Sequence, residues 1–472
     1  MTQSPSSTRH ELTRLAGLAW PILVGQLAVM ANGVIDTVMT ARFSATDLAA
    51  LAIGASIYVS VFVGASGVLQ ALAPLIGQLV GAREHAAIGV EVKQGAWLAL
   101  LLGVAGSVVL AYPHPFLSIA QASPELTDKA TLYLQILALA LPATLGFKVY
   151  AALNTALGRP KTLMLLQLGA LALKVPLNAL FIFGGFGLPA FGGPGCAIAT
   201  TLLAWLSLAA ALLLLRNAPA YRPYRIFGSG FVVPTWQAQR ALLSLGVPMG
   251  VSYLIEVTAF TFMALFIARM GEVAVAGHQI AANFGAVLYM LPLSIASATG
   301  TLVAQAIGAR DMHAARRVGN HGIALAGCAS LAVGIVVWLG HQQIVRAYTP
   351  DPRIIAAAAP LFLFIAVYQV FDAVQASAAF TLRAYRIALV PTAIYAVALW
   401  GVGLGGGYVA GFNTLGTMPA MLQGAAGFWL GNSASIALVA IGLMWYLRHI
   451  QHRTIQVSTA ALARNSDSQQ RH

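Results

Sequence analysis

Long apolar segments separated by short polar stretches recur along the chain, from about residue 13 to about residue 447. A helix needs about 20 mostly apolar residues to cross a bilayer, and twelve segments of this sequence meet that requirement. Several of them exceed about 25 residues, so we expect tilted, kinked or extended helices. The pattern predicts an all-α polytopic membrane protein with twelve transmembrane helices.

Composition supports this prediction. Of the 472 residues, 59% are hydrophobic and 8% are charged, whereas soluble proteins carry about 25% charged residues. The net charge of +13 is compatible with a nucleic-acid partner, but its distribution favours another explanation. Nineteen of the 26 lysines and arginines fall at helix ends that are cytoplasmic if the N-terminus is inside. The other seven are five outer residues and two residues within spans: Arg42, Lys129, Arg269, Arg346, Arg353, Lys148 and Lys174.

This asymmetry follows the positive-inside rule for twelve spans with both termini in the cytoplasm. The positive charge therefore indicates orientation in a lipid bilayer, and we expect no nucleic-acid partner. The two cysteines, Cys196 and Cys328, both fall in predicted spans and give no metal-ligand spacing or disulfide framework.

The sequence repeats itself at one constant offset, which superposes Pro21 on Pro248 and Arg42 on Arg269. Six helices per half is an even number, so the halves share one orientation, as in transporters built from parallel repeats. We predict a cytoplasmic N-terminal segment (1–12), an N-lobe of helices 1–6 (13–216), a cytoplasmic linker (217–239), a C-lobe of helices 7–12 (240–447) and a cytoplasmic tail (448–472).

The same offset superposes the pattern Gln-x-x-Gly-Ala-Arg at residues 78–83 on residues 305–310. The pattern closes the second helix of each half. A gate is one interpretation. We favour the other, a C-cap glycine followed by a cytoplasmic anchor.

Three carboxylic acids, Asp36, Glu256 and Asp372, lie within apolar stretches. A carboxylate at bilayer depth costs about 2.5–3.5 kcal/mol, so each should face a cavity or a partner. An ion or proton site is the functional interpretation, and a structural hydrogen bond is the alternative. One acid belongs to the first half and two to the second.

Polar residues accompany the second-half pair. Tyr368 and Gln375 share the helical face of Asp372, and Tyr253 lies one turn before Glu256. On the next helix, Gln279 and Asn283 share a face and Tyr289 follows. Carboxylate, amide and phenol oxygens suit Na⁺, while two neighbouring carboxylates also suit a shared proton. Interhelical hydrogen bonding remains the alternative for each polar residue taken singly.

Lys174 is as costly within a span as the acids are. We hypothesise that it pairs with Asp36 when that lobe is empty or unprotonated, the alternative being a side chain that reaches the membrane interface. Pro21 precedes Asp36 on helix 1. It indicates either a bend that gates the helix or the first residue of the membrane segment.

At these residues the chain resembles the multidrug and toxic compound extrusion (MATE) family, of the NorM type, over about residues 10–450. The resemblance rests on short motifs taken in this order on a six-plus-six repeat. They are Ala19-Trp20-Pro21, Val34-Ile35-Asp36-Thr37, Pro176-Leu177-Asn178, Gly195-Cys196-Ala197-Ile198-Ala199-Thr200, Gly277-His278-Gln279-Ile280-Ala281-Ala282-Asn283 and the Glu256/Asp372 pair.

The resemblance implies two six-helix bundles arranged as a V and antiport of cationic amphipathic drugs against Na⁺ or H⁺. It implies a first-lobe coupling site at Asp36, Asn178 and Thr200. It implies a second-lobe cation site at Glu256, Gln279, Asn283, Tyr368 and Asp372, with Tyr289 nearby. Lys174 replaces an asparagine common in relatives, and Ile182 replaces an acid that some of them have. If Na⁺ binds, we therefore expect it at Glu256 and Asp372.

We expect a monomeric transporter of the bacterial inner membrane, not an enzyme, with no cofactor beyond its coupling ion. The main alternative is a flippase for lipid-linked oligosaccharides or lipids within the same superfamily. A pyrophosphate headgroup would demand several arginines in the cavity, whereas the spans hold three acids and two lysines.

Overall fold

The chain folds into helices joined by short loops. The computed structural model describes residues 5–120, 123–228, 230 and 232–469. Within these residues, twelve helices are long and apolar enough to cross a membrane, and the one β-type feature recorded is an isolated bridge between Gly185 and Leu188. The predicted fold class, all-α with twelve transmembrane helices, is confirmed.

The first half contains helices α1–α6. Their bounds are α1 Pro5–Phe43, α2 Ala45–Gly81, α3 His85–Ala111, α4 Pro124–Ala156, α5 Pro160–Phe183 and α6 Gly193–Asn217. Helix α2 is interrupted by a turn, so it consists of Ala45–Leu69 and Leu72–Gly81. A short helix, His114–Ala120, follows α3, and a 3-10 helix, Pro219–Tyr224, follows α6.

The second half contains helices α7–α12. Their bounds are α7 Trp236–Ala268, α8 Glu272–Gly308, α9 Met312–Tyr348, α10 Pro352–Ala384, α11 Leu389–Gly411 and α12 Ala425–Gln469. Helix α10 consists of Pro352–Ala358 and Leu361–Ala384. Helix α11 has π-helical geometry over Ala396–Gly406.

Three helices run beyond the segments predicted for them. Helix α1 begins inside the predicted N-terminal segment, α7 begins inside the predicted linker, and α12 continues through most of the predicted tail. The apolar pattern ends at the membrane, but nothing in these flanking sequences breaks a helix. Good helix formers such as alanine, arginine and glutamine continue the backbone hydrogen bonding into the polar flanks.

The internal repeat is visible in the helix bounds. Helix α2 spans residues 45–81 and α8 spans residues 272–308, while α3 begins at residue 85 and α9 at residue 312. Both pairs of bounds differ by the same offset that superposes Pro21 on Pro248 in the sequence. The predicted duplication of six helices is therefore present in the structure.

The duplicated Gln-x-x-Gly-Ala-Arg pattern ends α2 and α8, as expected, but the glycine is not the residue in left-handed conformation. That conformation belongs to Arg83 and Arg310, with φ of 60° and 59°. The amide of the next residue reaches back to a carbonyl five residues earlier, from Glu84 to Leu79 and from Asp311 to Ala306. Both ends are thus Schellman motifs with an arginine at the position that glycine usually holds.

The helices form two compact units, residues 21–251 and residues 1–20 with 252–472. In the first unit, α4 is central and packs against α2, α3 and α6. In the second, α10 is central and packs against α8, α9 and α12. The division falls at Trp20/Pro21 in α1 and at Val251/Ser252 in α7, whereas the sequence suggested the 217–239 linker.

Pro21 lies inside α1, sixteen residues after its first residue Pro5, and Pro248 likewise lies inside α7. Neither proline is therefore the first residue of its helix, because both helices start well before the apolar segment, and whether Pro21 begins the membrane segment stays a prediction. A proline inside a helix removes one backbone hydrogen bond and favours a bend. Whether Pro21 gates transport stays a prediction.

Candidate functional site

The first unit contains a charged cluster on three helices. Lys174 of α5 places its Nζ 2.8 Å from Oδ1 of Asp36 on α1 and donates to the Thr200 hydroxyl of α6 at 2.5 Å. The amide of Asn178 donates to the same Asp36 oxygen at 2.7 Å. Lys174 and Asp36 are therefore paired in this structure, and that the pairing depends on an empty or unprotonated lobe stays a prediction.

Helical spacing explains how these side chains meet. Lys174 and Asn178 are four residues apart on α5, so they share one face and both reach Asp36. On α6 the Thr200 hydroxyl donates to the carbonyl of Cys196, four residues earlier, at 2.9 Å. Its oxygen then accepts from Lys174, which holds the ammonium between a hydroxyl and a carboxylate.

The cluster is almost closed to its surroundings. Only 2% of the Lys174 side chain and 14% of the Asp36 side chain are exposed. Such a pair is strongly attractive because both partners have left water, and removing one partner leaves an uncompensated charge. The amide oxygen of Asn178, Oδ1, is also buried in this cluster, and it has no hydrogen-bond partner within the described residues.

The second unit contains the other two acids. Asp372 is 4% exposed on α10, and its charge interacts with that of Glu256 on α7. The phenols of Tyr289 on α8 and Tyr368 on α10 both lie within electrostatic range of the two carboxylates. Three helices therefore bring the predicted acid pair and two of its predicted phenols into one electrostatic cluster.

Asp372 is oriented by an amide rather than by a cation. Gln375, one turn along α10, donates its Nε2 to Asp372 Oδ1 at 2.8 Å. Gln375 in turn accepts a hydrogen bond from the hydroxyl of Tyr395 on α11. In the described part of the chain, no ion pair reaches either Glu256 or Asp372.

Arg383 is a member of this region that the sequence analysis missed. It sits in the last turn of α10 and is only 7% exposed, although its position suggested a cytoplasmic anchor. Its guanidinium donates to the Tyr253 hydroxyl at 3.0 Å and stacks on the rings of Tyr253 and Phe380. It also interacts electrostatically with Glu256. The sequence did contain one indication that Arg383 is buried. A run of small residues precedes it, Ala376-Ser377-Ala378-Ala379, and these residues are buried where α10 packs against its neighbours.

Aromatic rings surround the Tyr368 side of the cluster. Tyr368 meets Phe260 and Trp429 edge to face, with ring centroids 6.3 Å and 6.2 Å apart. The Trp429 indole donates to Nδ1 of His278 at 3.3 Å. Edge-to-face rings fix one another's orientation, so the phenol of Tyr368 is held on a rigid aromatic support.

Two predicted site residues, Gln279 and Asn283, contact each other. Gln279 and Asn283 are exposed on α8 and bond to each other at 3.5 Å. Within the described residues, neither has a recorded contact with Glu256 or Asp372. Their sequence spacing gave the shared face correctly, but it did not determine what that face meets.

Twelve membrane-crossing helices in two repeats, with carboxylates held inside each unit, define a polytopic membrane transporter. The family model MatE matches this chain twice, at residues 21–180 and 248–409. The two matches begin at Pro21 and at Pro248, the pair of prolines that the internal repeat superposes. The chain belongs to the MatE family, the MATE transporters, and is a transporter rather than an enzyme, as the sequence predicted.

Curated relatives cover almost the whole chain. A protein of Aromatoleum aromaticum named "Probable multidrug resistance protein NorM" is 39% identical over 461 residues, covering 97% of this chain and 98% of the relative. The "Multidrug resistance protein PmpM" of Pseudomonas aeruginosa is 36% identical over 450 residues, covering 95% of this chain and 93% of the relative.

A solved structure has the same fold. It is described as the "Outward-facing conformation of a multidrug resistance MATE family transporter of the MOP superfamily" and is 18% identical. Its TM-score is 0.84, and the alignment covers 94% of this chain and 96% of that one. At this identity the likeness establishes the fold.

Proposed function

We propose that this protein is a cation-coupled multidrug antiporter that exports cationic amphipathic drugs by alternating access. The names of its curated relatives, which denote multidrug resistance proteins, support this proposal. The proposal places it in a bacterial inner membrane with both termini in the cytoplasm, in keeping with the positive-inside asymmetry. It needs one chain, a drug and a coupling ion, and no other cofactor.

One contrast between the two units carries the proposal. In the first unit, an internal ammonium lies 2.8 Å from the carboxylate of Asp36. In the second, Glu256 and Asp372 share one electrostatic cluster, and Arg383 gives its hydrogen bond to Tyr253 instead of to either acid. Two acids inside spans, for which the described residues supply no ion-paired lysine or arginine, suit a cation that binds and leaves during transport.

The surroundings of the second-unit acids support Na⁺ or H⁺ as the coupling ion. Carboxylate oxygens of Glu256 and Asp372 and phenol oxygens of Tyr368 and Tyr289 are hard donors of the kind that Na⁺ prefers. Alternatively, two neighbouring carboxylates hold one proton between them, because like charges resist joint ionisation. Either ion neutralises negative charge that would otherwise attract a cationic drug.

Competition for this negative charge supplies the coupling. Ion binding from the outside lowers the affinity for the drug, and drug binding from the inside displaces the ion. Moving one charge across the membrane yields about 2.3 kcal/mol per 100 mV. Exchange of one monovalent drug for one monovalent ion gains nothing from the voltage. Export then depends on the ion gradient, or on more than one ion per drug.

The position of Lys174 indicates a different role for the first unit. Its ammonium already occupies the place beside Asp36 and Thr200 that an external cation would take. The first-unit cluster is therefore proposed to respond to protonation or to movement of α1, while Na⁺, if used, binds in the second unit.

A flippase for lipid-linked oligosaccharides is the competing function, and the charges inside the spans argue against it. Its anionic pyrophosphate would meet the carboxylates of Glu256 and Asp372. The buried cations Lys174 and Arg383 are engaged with Asp36 and Tyr253. Cationic cargo fits these clusters better.

The test is efflux of ethidium or norfloxacin from bacterial cells that express matched variants at equal levels. Asp372→Asn and Glu256→Gln are each expected to reduce efflux strongly, since each removes a negative charge for which the ion and the drug compete. Asp351→Asn is the control, because Asp351 lies outside this cluster and pairs with Arg353 at 3.0 Å. Wild-type efflux by Asp372→Asn would refute the role given to the second unit.

A further inference from the structure

Helices α3, α4 and α6 of the first unit enclose a groove with a volume of about 550 Å³. Pro142, Gly146 and Val149 of α4 line it. The indoles of Trp97 on α3 and Trp205 on α6 line it as well. The chain that follows α6 covers one end with Phe227 and Val232, and we call this feature the linker groove.

The covering segment is fixed to α3 by a ladder of hydrogen bonds. Lys93 donates to the Gly230 carbonyl at 2.6 Å, and the Trp97 indole donates to the Val232 carbonyl at 2.9 Å. Gln94 donates to the Val233 carbonyl at 3.0 Å. The segment that lines this end of the groove is therefore held in place by specific hydrogen bonds.

The length of the linker groove matches one leaflet of a bilayer. Its lining runs along α6 from Trp205 to Leu215, a rise of about 15 Å at about 1.5 Å per residue. Half of a hydrocarbon core of about 30 Å is also about 15 Å. An acyl chain can thus lie along the groove for most of the depth of its leaflet.

Positive charge at the end of the groove that the linker covers favours a lipid with an anionic headgroup. Among the described residues that line the groove, Lys93 is the charged one and none is a carboxylic acid. One turn before Lys93, a Cβ at Gly89 would lie 2.1 Å from the backbone oxygen of Tyr224 and 3.5 Å from the carbonyl carbon of Arg225. The backbone of Arg225 therefore lies close to the same end of α3. A cationic drug is disfavoured there, whereas a phosphate is attracted.

We propose that the linker groove is a binding site for an anionic phospholipid, with one acyl chain between α3 and α6. The phosphate lies at the end marked by Lys93 and Arg225. Basic recesses between transmembrane helices commonly bind such headgroups. By filling the space beneath Phe227 and Val232, the lipid stabilises the segment that joins the two repeats. This site is separate from the acids of the two clusters and does not depend on the proposed antiport.

Native mass spectrometry of the full chain, delipidated in detergent and titrated with phosphatidylglycerol or phosphatidylcholine, tests the charge requirement. Wild type is expected to retain one phosphatidylglycerol in preference to phosphatidylcholine. Lys93→Gln should weaken phosphatidylglycerol about fivefold, the effect of one basic residue at a membrane surface, and Lys93→Arg should preserve it. Arg310→Gln, an exposed arginine outside the groove, is the charge control and should bind as wild type does.

A second pair of variants tests the location. Ala96→Trp places an indole in the groove, since Ala96 lines it, and should abolish the retained lipid. Ala105→Trp, on the same helix and exposed outside the groove, should not. The proposal is overturned if the two phospholipids bind equally, if Lys93→Gln binds like wild type, or if Ala96→Trp retains the lipid.

Discussion

Replacing Lys174 by methionine tests the buried ion pair directly. Methionine keeps much of the length of lysine but leaves Asp36 without its cation. The pair has an Nζ–Oδ1 distance of 2.8 Å, with 2% and 14% of the two side chains exposed. Breaking a buried pair from one side costs about 3–5 kcal/mol. Because Asp36 keeps the Asn178 hydrogen bond at 2.7 Å, we expect about 3 kcal/mol.

Replacing both partners should behave differently. In the double variant Asp36→Asn/Lys174→Met no charge is stranded, so we expect a stability within about 1 kcal/mol of wild type. The double variant should thus be at least about 2 kcal/mol more stable than Lys174→Met alone, which makes the two substitutions non-additive. This non-additivity separates an ion pair from two residues that merely pack well.

Thermal unfolding of purified protein in detergent, followed by intrinsic fluorescence, measures these differences. A loss of about 3 kcal/mol corresponds to about 6–12 °C in a unit of about 150–250 residues. Lys161→Met is the control on the same helix, because Lys161 is exposed and such a change costs at most about 0.5 kcal/mol. The reasoning fails if Lys174→Met melts with wild type, or if the double variant is less stable than either single variant.

Two further predictions concern the second unit. A Cβ at Gly431 would lie 2.6 Å from the backbone nitrogen of Gly407, so Gly431→Ala should separate α11 from α12 and lower the melting temperature. A Cβ at Gly285 meets no atom within 4 Å, so Gly285→Ala should raise the melting temperature slightly, because alanine favours a helix over glycine by up to about 1 kcal/mol. Equal melting temperatures of Gly431→Ala and Gly285→Ala would contradict this prediction. Glu11 accepts a hydrogen bond from Arg317 at 2.7 Å, so Glu11→Gln should speed hydrogen exchange in the first turns of α1, and unchanged exchange would show that this contact does not hold the helix.

The architecture could be predicted from the sequence because two independent patterns agree. Apolar length determines which segments can cross a bilayer, and one constant offset between the halves survives from Pro21 to Gly95. Both depend on backbone and lipid requirements that hold whatever the side-chain contacts are. The flanking ends of α1, α7 and α12 could not be predicted in this way, since polar helix continues without an apolar signal.

Side-chain partners could be predicted where each side chain would be energetically costly to bury alone. Lys174 and Asp36 are each costly to bury alone, which made their pairing the simplest hypothesis, and the structure shows it. The burial of Arg383 was not predicted, because a basic residue in the last turn of a span usually lies at the membrane surface as an anchor. Its burial depends on the rings of Tyr253 and Phe380, and only the tertiary structure brings the Tyr253 ring of α7 near α10.

The helix-end glycines illustrate a second limit. The glycine of each Gln-x-x-Gly-Ala-Arg pattern suggested a left-handed cap, yet Arg83 and Arg310 adopt that conformation. The pattern identified where the helix ends but not which residue turns, because a Schellman motif constrains backbone geometry more than residue type.

Drug transport by protein reconstituted in proteoliposomes, with the Na⁺ gradient and the pH gradient imposed one at a time, tests the central claim most directly. The account predicts that one of the gradients drives drug uphill in wild type and that the same gradient drives none in Asp372→Asn. Uphill transport that needs neither gradient, or that persists undiminished in Asp372→Asn, would contradict it.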